Sequence, residues 1–112
     1  MSEVVIWYRV RDFEAGRAFF VETLGFEEQQ FDEQRRWSLL RHGDTEVDLS
    51  EGEPDEKGGV AVITVEDVKS EAERLRAQEV NVGVVLELHG QVRLLDVYDQ
   101  DGNRIQLTED LE

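Results

Sequence analysis

The sequence predicts an α+β domain assembled from two βαβββ modules, and two internal echoes carry that prediction. The stretch DTEVDLSE (Asp44 to Glu51) repeats the second half of DQDGNRIQLTE (Asp99 to Glu109). Setting Thr45 against Asn103 places Glu46, Val47, Asp48, Leu49, Ser50 and Glu51 opposite Arg104, Ile105, Gln106, Leu107, Thr108 and Glu109, at an offset of 58 residues. Earlier in each half, VVIWYRVRD (Val4 to Asp12) and GVAVITVED (Gly59 to Asp67) both alternate apolar residues and close on Val-x-Asp, at an offset of 55. Offsets only three apart are what a duplicated unit with one short insertion leaves behind. A solenoid needs about three repeats or more to bury its core, so two copies are expected to pack as a single domain. Module one is read as residues 1–51, the linker as 52–58 and module two as 59–112.

Taken in order, Val4 to Val10 reads as a strand with Ile6, Tyr8 and Val10 on one face and Val5, Trp7 and Arg9 on the other. Both faces are largely apolar, so both are expected to be covered. Asp12 can cap a helix from Phe13 to Leu24, whose Ala15, Phe19, Phe20, Val21 and Leu24 make a buried stripe, and Gly25 can end it. A polar edge strand from Phe26 to Phe31 follows, then a strand from Arg36 to Arg41 centred on Trp37 and Leu39, the turn Gly43-Asp44, and a strand from Glu46 to Ser50. Glu51 to Gly59 breaks the composition with Gly52, Pro54, Gly58, Gly59 and four acidic residues, and reads as the linker. Module two replays the order: a strand from Val60 to Val65, a cap at Asp67, and a helix from Val68 to about Gln78 with Val68, Ala72 and Leu75 inward. Three strands follow, Val80 to Leu88, Val92 to Tyr98 and Arg104 to Thr108, joined by His89-Gly90 and the tight turn Asp99 to Asn103.

Composition narrows the function classes. A chain of 112 residues with 39% apolar residues can bury one core. Its net charge of -15 argues against nucleic acid, since phosphate binding needs the opposite sign, while leaving cationic ligands open. No apolar run approaches the roughly 20 residues of a membrane helix, and no charged start leads into an apolar block, so a cytoplasmic location without membrane contact is expected. With no cysteine there are no disulfides and no thiolate metal sites. The serines, Ser2, Ser38, Ser50 and Ser70, lie in no Gly-x-Ser-x-Gly elbow, and His42 and His89 each precede a glycine at a strand-ending turn, where an exposed role is expected.

The duplicated βαβββ order, the Val-x-Asp closing each first strand, Leu24-Gly25-Phe26 after the helix and Asp101-Gly102-Asn103 before the last strand together resemble the vicinal oxygen chelate superfamily, also known as the glyoxalase, bleomycin resistance protein and extradiol dioxygenase family. Gln100 stands where that family usually has proline, and Glu79 where it often has glycine. The resemblance implies two curved sheets that cup a cavity, helices outside, and a homodimer. It also implies four metal-ligand positions: one near the start of each module's first strand, seven residues before Asp12 and Asp67, and one on each module's last strand. Those positions fall on Val5, Val60, Asp48 and Gln106. Two valines offer no lone pair, Asp48 is a good ligand and Gln106 a weak neutral one, so no metal and no cofactor are expected.

By strand alternation the faces holding Val5 and Val60 also hold Trp7, Arg9 and Val62, and the last strands add Glu46, Asp48, Arg104 and Gln106. This lining, with Trp7 or Trp37 as a stacking surface, suits a small ligand with an aromatic or apolar body. The valines can equally pack as core, and Arg9 and Arg104 are expected to pair with Glu46 and Asp48 rather than with a ligand. The first functional reading is a metal-free, non-catalytic binding protein, resembling family members that sequester a flat cationic antibiotic. The alternatives are a lyase, isomerase or dioxygenase with a divergent metal site, and an orphan or partner-binding domain without ligand.

Overall fold

The computed structural model describes residues 5–112, so the Val4 end of the first echo lies outside the described residues. Nine strands form among them: β1 (Ile6–Val10), β2 (Glu27–Asp32), β3 (Trp37–His42), β4 (Thr45–Glu51), β5 (Ala61–Thr64), β6 (Asn81–Val82), β7 (Leu86–Leu88), β8 (Val92–Tyr98) and β9 (Arg104–Asp110), with burial alternating along β4, β5, β8 and β9. The two α-helices are α1 (Phe13–Ala18) and α2 (Val68–Ala77). One sheet runs β1-β4-β3-β2 and the other β5-β9-β8-β6, with β7 also paired to β8. Within them β1–β4 and β5–β9 are parallel pairs, and the remaining pairs are antiparallel. Each sheet therefore has its first strand beside its last, and the duplication seen in the residues is repeated in the topology.

Two expected elements differ. Helical hydrogen bonding changes register after Ala18, and Phe19–Thr23 continues as a π-helical turn. The wider turn accommodates consecutive rings: Phe19 meets Phe20 edge-on at 5.8 Å, and Phe20 packs on Phe26 at 5.5 Å and Tyr8 at 5.3 Å. The segment Val80 to Leu88 breaks into β6 and β7. Val82 faces Val97 and Leu86 faces Leu94, so three residues on one side span two on the other, the extra residue of a bulge.

The repeated residues prove to be the scaffold. Asp12 accepts a hydrogen bond from the Ala15 N–H at 3.2 Å and Asp67 from the Ser70 N–H at 3.1 Å, so each Val-x-Asp supplies a helix N-cap. The Ser70 N–H and hydroxyl hold the Asp67 carboxyl below the usual carboxylate range. The repeated glutamates finish the same helix ends: Glu51 accepts from the Phe13 N–H at 3.1 Å and Glu109 from the Val68 N–H at 3.0 Å. Thr45 and Asn103, the pair that set the repeat, reach across to the opposite module. The Thr45 hydroxyl donates to the Val62 carbonyl at 2.8 Å and the Asn103 amide to the Arg9 carbonyl at 2.9 Å. Between them the Tyr8 hydroxyl donates to the Arg104 carbonyl at 2.6 Å and accepts from the Ala61 N–H at 2.8 Å. Burial raises the Tyr8 pKa to about 12, so the hydroxyl keeps the proton it donates.

One buried cluster runs through both modules, from Tyr8, Val10, Phe13, Phe20, Leu40 and Leu49 to Ile63, Leu75, Leu95 and Leu107. It lies on the helix-bearing faces of the sheets. Behind it, Arg17 donates twice to Glu28 at 2.6 Å, and the buried Ser38 hydroxyl donates to Glu28 at 2.7 Å. The linker returns along the free edge of β1, where Gly58 is packed so tightly that a Cβ would lie 1.9 Å from the Trp7 carbonyl oxygen and 2.7 Å from Trp7 Cδ2. No helix among the described residues is long and apolar enough to cross a membrane.

Three substitutions test this construction. Tyr8→Phe leaves the buried Ala61 N–H without its acceptor and should cost about 1–3 kcal/mol in urea unfolding. Gly58→Ala should cost about 2–4 kcal/mol, since the clash is with backbone rather than with a movable side-chain end. The Arg17 guanidinium, more than Ser38, holds the Glu28 carboxyl below its usual range. A depressed carboxylate stabilises the fold above its unfolded pKa and loses that contribution as pH falls through its folded pKa. Glu28→Gln should therefore lower thermal stability at pH 7, and the gap to wild type should close as the pH is taken down through the carboxylate range.

Candidate functional site

Strand register lays out the faces that the helices leave bare. On the first sheet, Trp7, Asp48 and Leu39 form one row across β1, β4 and β3, and Arg9, Ser50 and Trp37 form the next, with Glu46 and Arg41 paired below. On the second sheet the corresponding rows are Val62, Gln106 and Asp96; then Thr64, Thr108, Leu94 and Leu86; with Arg104 opposite Tyr98 at the near end and Val92 opposite Leu88 at the far end. Of the expected set, Trp7, Arg9, Trp37, Glu46, Asp48, Val62, Arg104 and Gln106 lie on these faces, and Val5 immediately precedes β1. Sequence reasoning missed Asp96, Leu94 and Tyr98. Their alternation within Val92 to Tyr98 was the signal, since Leu95 and Val97 between them are buried.

Within the chain the expectation that both faces of β1 are covered is corrected, since its second face carries exposed Arg9 and half-buried Trp7. Val5 is 54% and Val62 45% exposed, because within the chain both helices pack on the opposite face. These two valines are therefore not core residues. Val60 is half-buried and lines a cavity of about 690 Å³ beside the bare face, together with Pro54, Asp55, Glu56, Tyr98, Asp101 and Arg104. Below this cavity burial pushes the Asp99 carboxyl above the usual range, against hydrogen bonds from Asn103 and the Asp101 N–H.

The arginine pairings also differ from expectation. Arg104 lies 3.5 Å from Asp96, its neighbour on β8, and not beside Glu46 or Asp48. Arg9 lies over the Trp7 ring, with its guanidinium carbon 4.6 Å from the centroid. The register explains this outcome: Arg9 stands opposite Ser50, one row beyond Asp48, and its stem rests on the linker at Gly52. Asp48 instead accepts the Trp37 indole N–H at 2.7 Å. It is half-buried between the two tryptophans, and among the described residues no cationic side chain comes within ion-pair distance of it.

The donors at the four implied metal positions do not fit a divalent cation. Val5 and Val60 have none, one Asp48 oxygen holds an indole N–H, and the Gln106 amide donates to Asp96 at 3.2 Å. Among the described residues no three His, Cys, Asp or Glu side chains converge as a ligand set. His42 packs edge-on against Phe26 at 5.4 Å. What the face does offer is two indoles flanking a carboxylate, with aliphatic residues beside them.

Comparison with solved structures returns the same fold. An integron cassette protein from the mobile metagenome of the Halifax Harbour sewage outfall has a TM-score of 0.79 at 23% identity, over 97% of this chain and 99% of that one. TnmS3, an antibiotic binding protein from Streptomyces sp. CB03234, has a TM-score of 0.73 at 24% identity, over 98% and 97%. The fosfomycin resistance protein FosX from Listeria monocytogenes has a TM-score of 0.76 at 18% identity, over 97% and 93%. A comparison with curated proteins finds no match. The family model for the Glyoxalase/Bleomycin resistance protein/Dioxygenase superfamily matches residues 3–107, and the chain belongs to that superfamily.

Proposed function

We propose that this chain is a metal-free, non-catalytic binding protein that sequesters a small, flat, cationic molecule against the bare face of its first sheet. The observation that carries the reading is Asp48, a half-buried carboxylate set between Trp7 and Trp37 whose hydrogen-bond partner is a neutral indole. A half-buried anion without a counter-charge is stabilised by a cation, and indole faces supply the flat apolar contact that an aromatic cation needs. The excess of acidic residues steers cations toward the surface. TnmS3, of similar fold, binds an antibiotic; fold alone does not carry function across, so the residues of this face bear the argument.

A second copy of the chain completes the site. Val5, Val62, Leu86 and Leu88 are between 43% and 54% exposed. Aliphatic residues gathered on one side of a thin molecule, 22 Å in its shortest dimension, call for a partner surface, and a homodimer covers this one while closing the ligand between two sheets.

The test uses N-methylquinolinium as the probe. It should quench tryptophan fluorescence on binding, Asp48→Asn should weaken that binding about tenfold, and light scattering should return the mass of a dimer. Absence of quenching, or a stoichiometric divalent metal in protein purified without chelator, would sink the proposal, the metal favouring a lyase or dioxygenase instead.

A further inference from the structure

Arg11, Arg17, Arg35, Arg74, Arg93 and Arg104 each reach a carboxylate. Arg9 does not among the described residues, although it stands on the same bare face as Glu46, Asp48 and Asp96. Its guanidinium lies on the Trp7 indole instead, 4.6 Å from the ring centroid. Two linker glycines set up this contact. The Arg9 stem rests against Gly52, where a Cβ would come within 3.2 Å of its Cδ, and the fused edge of the Trp7 ring is closed by Gly58. With the linker against the ring and Arg9 over it, the indole surface that a flat ligand would use already carries a flat cation belonging to the chain itself.

We infer that Arg9 is a resident surrogate for the ligand: its guanidinium occupies the Trp7 face in the empty site, and a flat cation enters by displacing it. This rests on the binding function proposed above and makes Arg9 a competitor that sets affinity for any flat ligand, while Asp48 sets the preference for a cation. The register supplies the discrimination. Trp7 stands directly opposite Asp48, whereas Arg9 stands opposite Ser50. An incoming cation on the indole therefore gains the Asp48 carboxylate that Arg9 does not use, and so recovers what the displaced contact loses. A neutral flat molecule must displace Arg9 with no charge to offer Asp48. Within the chain Arg9 is exposed and Trp7 half-buried, and a guanidinium–indole contact open to solvent on one side is weak enough for a ligand to replace.

Calorimetric titration with N-methylquinolinium and with uncharged quinoline at pH 8 tests this. Arg9→Ala should tighten both probes by about two- to fivefold, the range expected for removing one exposed cation–indole contact. Arg41→Ala removes a charge from the same face, but its guanidinium bonds the Gly43 carbonyl and leaves the indole untouched, so it should tighten only the cationic probe. In the free protein the Arg9 side-chain protons should resonate upfield in the indole ring current and lose that shift at saturation. The inference falls if Arg9→Ala leaves quinoline affinity unchanged or weakens it, or if the upfield shift persists in the complex. Those outcomes leave the binding function standing, whereas failure of wild type and Arg9→Ala alike to bind either probe overturns both.

Discussion

Everything on the bare face depends on a junction of side chain-to-backbone hydrogen bonds that holds two separate sheets side by side. Tyr8 stands at its centre, donating to the Arg104 carbonyl and accepting from the Ala61 N–H, and Thr45 and Asn103 flank it by reaching the first strand of the opposite module. The sheets remain distinct in their strand pairing. Their relative placement is set by these bonds and by the shared apolar cluster beneath them. A buried N–H or carbonyl without a partner is costly, so the junction is specific as well as stabilising. Because the helices sit below the cluster, the opposite faces of both sheets are left open together.

The duplication has kept its scaffold and changed its surface. Asp12 and Asp67, Glu51 and Glu109, and Thr45 and Asn103 do the same work in both modules, capping helices or crossing the junction. Across the equivalent rows of the bare face, in contrast, Trp7, Asp48 and Leu39 correspond to Val62, Gln106 and Asp96. Helix ends must satisfy the same backbone groups in each copy, whereas a ligand surface has no such obligation. Two similar sheets thereby carry unlike chemistry, an indole-flanked carboxylate on one and aliphatic residues with an amide and an Arg104–Asp96 ion pair on the other.

Legibility in the sequence followed how local each cause was. β8 runs from Val92 to Tyr98 as its alternation predicts, and both helices begin where Asp12 and Asp67 cap them. The break between β6 and β7 was not readable in Val80 to Leu88, because it comes from the match in length to β8. Nor was the π-helical turn, which answers to packing among Phe19, Phe20, Phe26 and Tyr8. Period-two alternation assigned most of the candidate residues to the faces they share in the structure, but their pairings were not readable: Arg104 joins Asp96, Arg9 joins Trp7, and Asp48 joins Trp37.

The sequence by itself determined the two modules, their caps, the repeat that links them and the lack of lone pairs at Val5 and Val60, because periodicity, capping and side-chain chemistry act over a few residues. Only the tertiary structure decided which apolar face of β1 is covered and which side chain answers each charge. Those outcomes depend on where distant strands, the linker and the helices come to rest, and two largely apolar faces read alike until the fold packs helices against one of them.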